Sequence, residues 1–261
     1  MEKDEKKKER NNKTRPGLPL ISIITVVLNE KDLVSRAIRE VRNQTYPHKQ
    51  HIIIDGGSTD GTIDILKENQ DDIDYWISEK DAGIYDAMNK GVEAADGKWL
   101  YFFGADDAFF SRDTLELLFR DPPFIDDVIM LLGNVIKANG SMFKSQFGKS
   151  LYFKNTIHHQ GVFYRKEVFD NFRYSTPVPS GSKRDYQISG DYELNLMLFL
   201  ERAKHIYVNR VIARCGSGIS MQGKLAGYVE EILIRHEHIG FFKSILFDVG
   251  TIMRYVYKKV W

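Results

Sequence analysis

The chain has 261 residues, 43% of them hydrophobic, which suffices for one substantial buried core or two small ones. Its 37 Lys and Arg against 36 Asp and Glu leave a net charge of +1, so no global field recruits nucleic acid and an anionic ligand must be met by a local site. One cysteine, Cys215, excludes an internal disulfide and suits a reducing cytosol. At the end of an apolar run it reads as a small buried hydrophobe rather than a nucleophile.

Residues 1–15 are charged throughout and lack the apolar stretch of a secretory signal, so 1–17 is expected to be a solvated arm ending at Pro16-Gly17. Residues 21–28 (ISIITVVL) form the β-branched run of a strand buried on both faces. Leu33, Val34, Ala37, Ile38 and Val41 then recur at helical spacing until Tyr46-Pro47. A second short strand, 51–54, ends in Asp55-Gly56-Gly57-Ser58-Thr59-Asp60-Gly61, and a helix resumes near Thr62. A helix over 83–95 is expected to bury Ile84, Ala87, Met88 and Ala95. The next strand, 99–103, stops at Gly104-Ala105-Asp106-Asp107. Further on, 114–119 reads as a helix, 128–136 as a strand, 175–189 as a long polar loop, and 205–213 as a last strand. Short alternation of strand and helix predicts an α/β fold with a mainly parallel, Rossmann-like sheet flanked by helices.

In such a sheet ligands bind beyond the carboxyl ends of the strands. Asp55 and the Asp106-Asp107 pair sit there. Adjacent carboxylates repel unless a cation or donors offset them, and oxygen ligands of this kind suit Mg²⁺ or Mn²⁺. Asp106-Asp107 could equally begin the next helix as caps. Asp191, after the 175–189 loop, has the same two readings, carboxylate base or helix cap.

Four blocks in order, SIITVVLNE (22–30), IIDGGSTDGT (53–62), EKDAGIYDAMNKG (79–91) and GKWLYFFGADD (97–107), resemble family 2 glycosyltransferases of the bacterial polysaccharide-assembly type, which have a GT-A fold. HHQGVFYRKEVF (158–169) and SGDYELNLML (189–198) add weaker matches, and the likeness covers about 20–215. It implies an inverting transfer of a sugar from a nucleotide-diphosphate sugar, UDP before GDP, to a hydroxyl of a glycan or lipid-linked acceptor. By the same resemblance Thr25, Asn29, Glu30, Asp55 and Asp81 line the nucleotide pocket. Asp107 binds a divalent cation, Mn or Mg; Asp106 contacts the ribose or the metal's water shell; Asp191 is the general base, kept ionised by a helix N-terminus. Gly56 stands where many relatives carry a second acid, and Ala105 replaces the first acid of the longer Asp-x-Asp form. A nucleotidyltransferase or a non-catalytic nucleotide-sugar-binding protein are the alternatives, the former disfavoured because no Gly-rich phosphate loop follows the first strand.

His159 reads as a structural hydrogen-bonder or a diphosphate contact, Lys90 and Arg36 as solvated faces, and Lys183-Arg184 as a loop that closes over the diphosphate. The transferase domain is expected over 18–220 and a helical extension over 221–261. Within that extension, 239–257 (IGFFKSILFDVGTIMRYVY) is apolar but interrupted by Lys243, Asp248 and Arg254, so it does not span a bilayer. It fits either peripheral contact with the inner face of the cytoplasmic membrane or packing against protein. Cytoplasmic location is expected, with no nucleic-acid partner.

Overall fold

The structure, a computed structural model, describes residues 17–120, 127–174, 186–216 and 225–260. The N-terminal arm and Lys183-Arg184 lie outside the described residues.

Among the described residues, a nine-stranded mixed sheet forms the centre. Its parallel half comprises β1 (Ile21–Val27), β2 (Lys49–Asp55), β3 (Tyr75–Ser78) and β4 (Trp99–Phe102), adjacent in the order β3-β2-β1-β4. Beyond β4 the sheet changes character. β8 (Val162–Arg165) runs antiparallel to both β4 and β6 (Met130–Ile136). β9 (His205–Arg214) then lies parallel to β6 through an irregular register, and the short β5 (Ala108–Phe109) closes that edge antiparallel to β9. β7 (Met142–Lys144) pairs with β6 off this path.

Side chains alternate across each strand, so a run apolar at every position must be covered twice. Ile24, Ile52, Ile54, Leu100 and Phe102 point into one core, while Ile21, Ile23, Trp99, Tyr101 and Phe103 point into the opposite one. The first core is covered by α3 (Ile84–Ala94) and α6 (Gly190–Leu200). α1 (Lys31–Arg42) and α4 (Thr114–Phe119) contribute to the second, and α2 (Thr62–Glu68) packs beside α1 in a third cluster. A single turn, α5 (Val168–Asn171), follows β8. As the spacing predicts, α1 buries Val34, Ala37, Ile38 and Val41. Ile84 departs from expectation: it occupies the first position of α3 and is 50% exposed, while burial begins with Tyr85, Ala87 and Met88. Cys215 packs against the second core as a small hydrophobe, and burial pushes its thiol up to about 12.

α3 approaches β1 closely enough that a Cβ at Gly91 would overlap Ile24 Cγ2, itself buried. We expect Gly91→Ala to lower stability by about 1–3 kcal/mol through overpacking, read as a lower urea midpoint with an unchanged slope.

Two helices end the chain, α7 (Leu225–Ile239) and α8 (Phe241–Val260), joined at Gly240, whose φ of 89° suits glycine. Arg235 on α7 is fully buried; its Nε donates to Asp248 Oδ1 at 2.9 Å and an Nη to Thr251 Oγ1 at 2.8 Å, both on α8. His236 Nε2 lies 2.7 Å from the other Asp248 oxygen.

Candidate active site

The loops after β1 and β2 are fastened to each other by the polar residues of the Asp55–Thr62 block. Ser58 Oγ accepts the Asn29 N–H at 2.7 Å, Thr62 Oγ1 accepts the Glu30 N–H at 2.9 Å, and Asp60 Oδ2 accepts the Lys31 N–H at 3.1 Å. In the other direction Asn29 Oδ1 accepts the Thr59 N–H at 2.9 Å. Asn29 holds φ at +55°, a left-handed conformation that Asn tolerates better than most side chains. Three successive backbone N–H groups of one loop are thereby satisfied by side chains of the other, which fixes both loops at the strand ends.

Asp55, fully buried at the end of β2, holds that arrangement together. Its carboxylate accepts the Gly57 and Ser58 N–H groups at 3.1 and 2.9 Å, the Ser78 hydroxyl at 2.6 Å, and the Ser58 hydroxyl. Thr25 is also fully buried, and its hydroxyl lies 3.1 Å from His51 Nε2 inside the sheet. Asp81 accepts the Gly83 N–H at 3.0 Å just before α3. Its second oxygen fills the space above Gly56, where a Cβ would come within 2.5 Å of it. The missing side chain at 56 is thus what admits Asp81.

Asp106 and Asp107 follow β4, and the next element is β5, so neither caps a helix. Asp107 is buried, with Gly104 N–H donating to Oδ2 at 2.8 Å and Gly216 N–H to Oδ1 at 3.1 Å. The Gln160 side chain also hydrogen-bonds it. Burial raises its carboxyl above the usual range, the backbone donors oppose this, and Asp106 adds to the rise. A Cβ at Gly216 would overlap the Asp106 carboxylate, so the chain after β9 closes directly over the pair. Glu30 is also raised, by burial first and then by Asp106 and Asp60, which places an acidic rim around the strand ends. Arg36 is exposed, whereas Lys90 is engaged, 2.8 Å from Glu79. His159 stacks on Phe102 with ring centroids 5.0 Å apart, and neither buried ring nitrogen has a hydrogen-bond partner. Burial pushes it down to about 4.

Asp191 lies in the first turn of α6, with Ser189 as the N-cap residue. The expectation that the helix dipole keeps it ionised meets a larger opposing effect. Desolvation raises its carboxyl to about 7, against the Tyr192 N–H at 2.9 Å and the Asn155 amide at 2.8 Å. Asn155 is itself held: its Oδ1 accepts the Ile157 N–H and the Asn195 amide, both at 3.2 Å, and Asn195 accepts the Tyr164 hydroxyl at 2.7 Å. Tyr85, from α3, accepts the Gly190 N–H at 2.9 Å, which ties the start of α6 to α3.

Sequence reasoning missed Asn155, Tyr85 and above all Glu230. From α7, Glu230 accepts three consecutive N–H groups, Gln187 at 3.0 Å, Ile188 at 3.0 Å and Ser189 at 2.8 Å, directly before α6. Tyr186 to Glu237 (2.8 Å) and His238 to Glu193 (3.1 Å) add two further links from α7. A signal existed only in the acidic run Glu230-Glu231, which names no partner. Glu230→Ala is expected to cost about 2 kcal/mol of stability and to lower turnover while leaving donor KM near its parent value, checked by steady-state kinetics.

The carboxylate oxygens of Asp106 and Asp107 fit a hard divalent cation by chemistry: among the described residues, the hydrogen-bond donors to Asp107 are neutral and leave its charge unmatched. Among the described residues no three His, Cys, Asp or Glu stand together as a metal group, so a bound diphosphate and water would complete the shell.

Residues 22–183 match the family model for glycosyl transferase family 2, and the chain belongs to that family. A PGL/p-HBAD biosynthesis glycosyltransferase of Mycobacterium tuberculosis is 32% identical over 189 residues, 69% of this chain and 70% of the relative. The putative teichuronic acid biosynthesis glycosyltransferase TuaG of Bacillus subtilis is 37% identical over 101 residues, 38% and 40% of the two chains. Among solved structures, S. aureus TarS 1-349 in complex with UDP-GlcNAc superposes with a TM-score of 0.64 at 15% identity, covering 84% of this chain and 65% of that one. The mannosyltransferase PcManGT from Pyrobaculum calidifontis, in complex with GDP-Man and Mn2+, gives 0.62 at 15% identity, covering 86% and 65%. These likenesses establish a GT-A-like fold. This chain spans 39% of the length of the longer TarS structure.

Proposed function

We propose that the chain is an inverting, hexosyl-type glycosyltransferase that moves a sugar from a nucleotide-diphosphate donor, UDP before GDP, to a hydroxyl of a glycan or lipid-linked acceptor in polysaccharide biosynthesis. The observation that carries this reading is the pair of buried carboxylates in contrasting settings. Asp107 is met by backbone N–H groups beside a second acid; Asp191 is isolated, raised to about 7, and free of basic partners at hydrogen-bond distance among the described residues.

A divalent ion, Mn or Mg, held by Asp107 would supply Lewis-acid neutralisation of the departing diphosphate. Asp106 would contact the ribose or the ion's water shell. The fastened loops carrying Asn29 and Glu30 would flank the nucleotide, with Asp55 and Thr25 holding them from behind rather than touching it. Asp81, in the space left by Gly56, would meet the base. Asp191 would take the proton from the acceptor hydroxyl as that oxygen attacks the anomeric carbon. One base and no protein nucleophile gives a single displacement, with inversion. A lipid-linked acceptor would bring the enzyme to a membrane surface peripherally, since no described helix is long and apolar enough to cross one.

The test is donor turnover. The protein would be incubated with UDP-, GDP- and dTDP-sugars in Mn²⁺, Mg²⁺ or EDTA, and nucleotide release followed together with calorimetric donor binding. Metal-dependent release of one nucleotide supports the reading. Absence of both release and metal-dependent binding across the panel overturns it.

A further inference from the structure

α8 presents a face that nothing among the described residues covers. Phe242 is 88% exposed, Leu246 73% and Met253 66%; Ile245, Val249 and Val256 fill the same side. At 3.6 residues per turn these positions form one stripe along a helix about 30 Å long. The opposite side is anchored inward: Ser244, Asp248 and Thr251 are buried, and Asp248 is bound to Arg235 and His236. Arg254 pairs with Glu231 and lies over the Tyr228 ring. The helix is therefore held with its apolar stripe outward.

Charge decides the occupant. Asp248 is the only acid of α8, and it is turned into the protein, so the outer face carries no negative group. Lys243 and Lys259 are exposed and fall at the two borders of the stripe by helical spacing. A second copy docked on this face would bring no acid of its own α8 to either lysine, because its Asp248 is turned inward as well. A lipid surface with anionic headgroups receives both parts at once, the apolar stripe into the acyl boundary and the lysines at headgroup level. We propose that the outward face of α8 docks the protein on an anionic lipid surface.

The inference is independent of the transferase reading, since neither the face nor its lysines belong to the candidate active site. α7 nevertheless ties this face to the 186–193 segment through Glu230, Glu237 and His238.

The full chain would be sedimented with phosphatidylcholine vesicles and with phosphatidylcholine–phosphatidylglycerol vesicles, at low and high salt, alongside analytical ultracentrifugation without lipid. Binding at least about tenfold tighter to the anionic vesicles, weakened by salt, is expected for two lysines near the surface. Leu246→Glu with Met253→Glu should abolish it with an unchanged circular dichroism spectrum, since both side chains point outward. Lys243→Glu with Lys259→Glu should remove the preference for anionic lipid. Equal binding to both vesicles, no binding to either, or a lipid-free dimer that the Leu246→Glu, Met253→Glu variant splits into monomers would each overturn the proposal.

Discussion

Asp191→Asn is expected to lower turnover about a thousandfold with donor binding retained, within the range for removal of a positioned general base. Asn155→Ala offers a finer test of the same carboxylate. The parent rate should rise with pH through a limb near 7, where Asp191 loses its proton. The Asn155 amide favours the ionised form, so its removal should move that limb to higher pH. Stability carries a second signature. Folded Asp191 keeps its proton up to about 7, whereas an unfolded aspartate releases it near 3.8. Between those values the folded state binds more protons, so the parent loses stability as pH rises, by up to roughly 4 kcal/mol, and levels off above 7. The Asn variant lacks that loss. Its Tm relative to the parent should therefore climb from pH 4 to pH 7, and a flat difference would place the ionisation elsewhere.

Asp107→Ala should remove measurable transfer, a drop of about 10³-fold or more, because charge on the leaving diphosphate would then develop unneutralised. Donor binding should lose its dependence on Mn²⁺ or Mg²⁺ while metal-independent affinity persists, which calorimetry with and without EDTA separates from misfolding. Asp106→Ala is expected to be milder, since it leaves Asp107 with both backbone donors. If Asp107→Ala kept a metal-dependent donor affinity equal to the parent's, the cation would have to be held elsewhere.

The parallel half of the sheet was legible because burial on both faces leaves continuous β-branched runs, as in Ile21–Val27, and because α1 repeats its apolar residues at helical spacing. In the other half the longer strands were legible too, 128–136 as β6 and 205–213 as β9, but β8 is four residues long, β7 three and β5 two, too short for any periodicity to announce them or the antiparallel pairing they make. Asp55, Asp106, Asp107 and Asp191 stood out as acids at strand or loop ends, but their hydrogen-bond roles depended on partners far along the chain. Gly216 meets Asp107 across 109 positions, Tyr85 meets Gly190 across 105, and Glu230 meets Ser189 across 41. The DGGSTDGT block gave its location and hid its division of labour. Asp55 stands out in sequence as a pocket acid, yet its carboxylate is occupied by Gly57, Ser58 and Ser78.

The Arg235–Asp248 bond gives α8 a different evolutionary character on its two sides. A descendant that kept the helix but lost the Asp248 carboxylate would retain a fully buried guanidinium without its partner, and stripping one partner from a buried ion pair typically costs about 3–5 kcal/mol. Gradual erosion of this segment, residue by residue from the end inward, therefore meets a barrier at Asp248. Position 248 should change in relatives only together with 235, whereas Leu246 and Met253 should drift freely among apolar residues. The helix would be inherited whole or exchanged whole, as a cassette, and its outer face is the part that selection could retune without touching the rest.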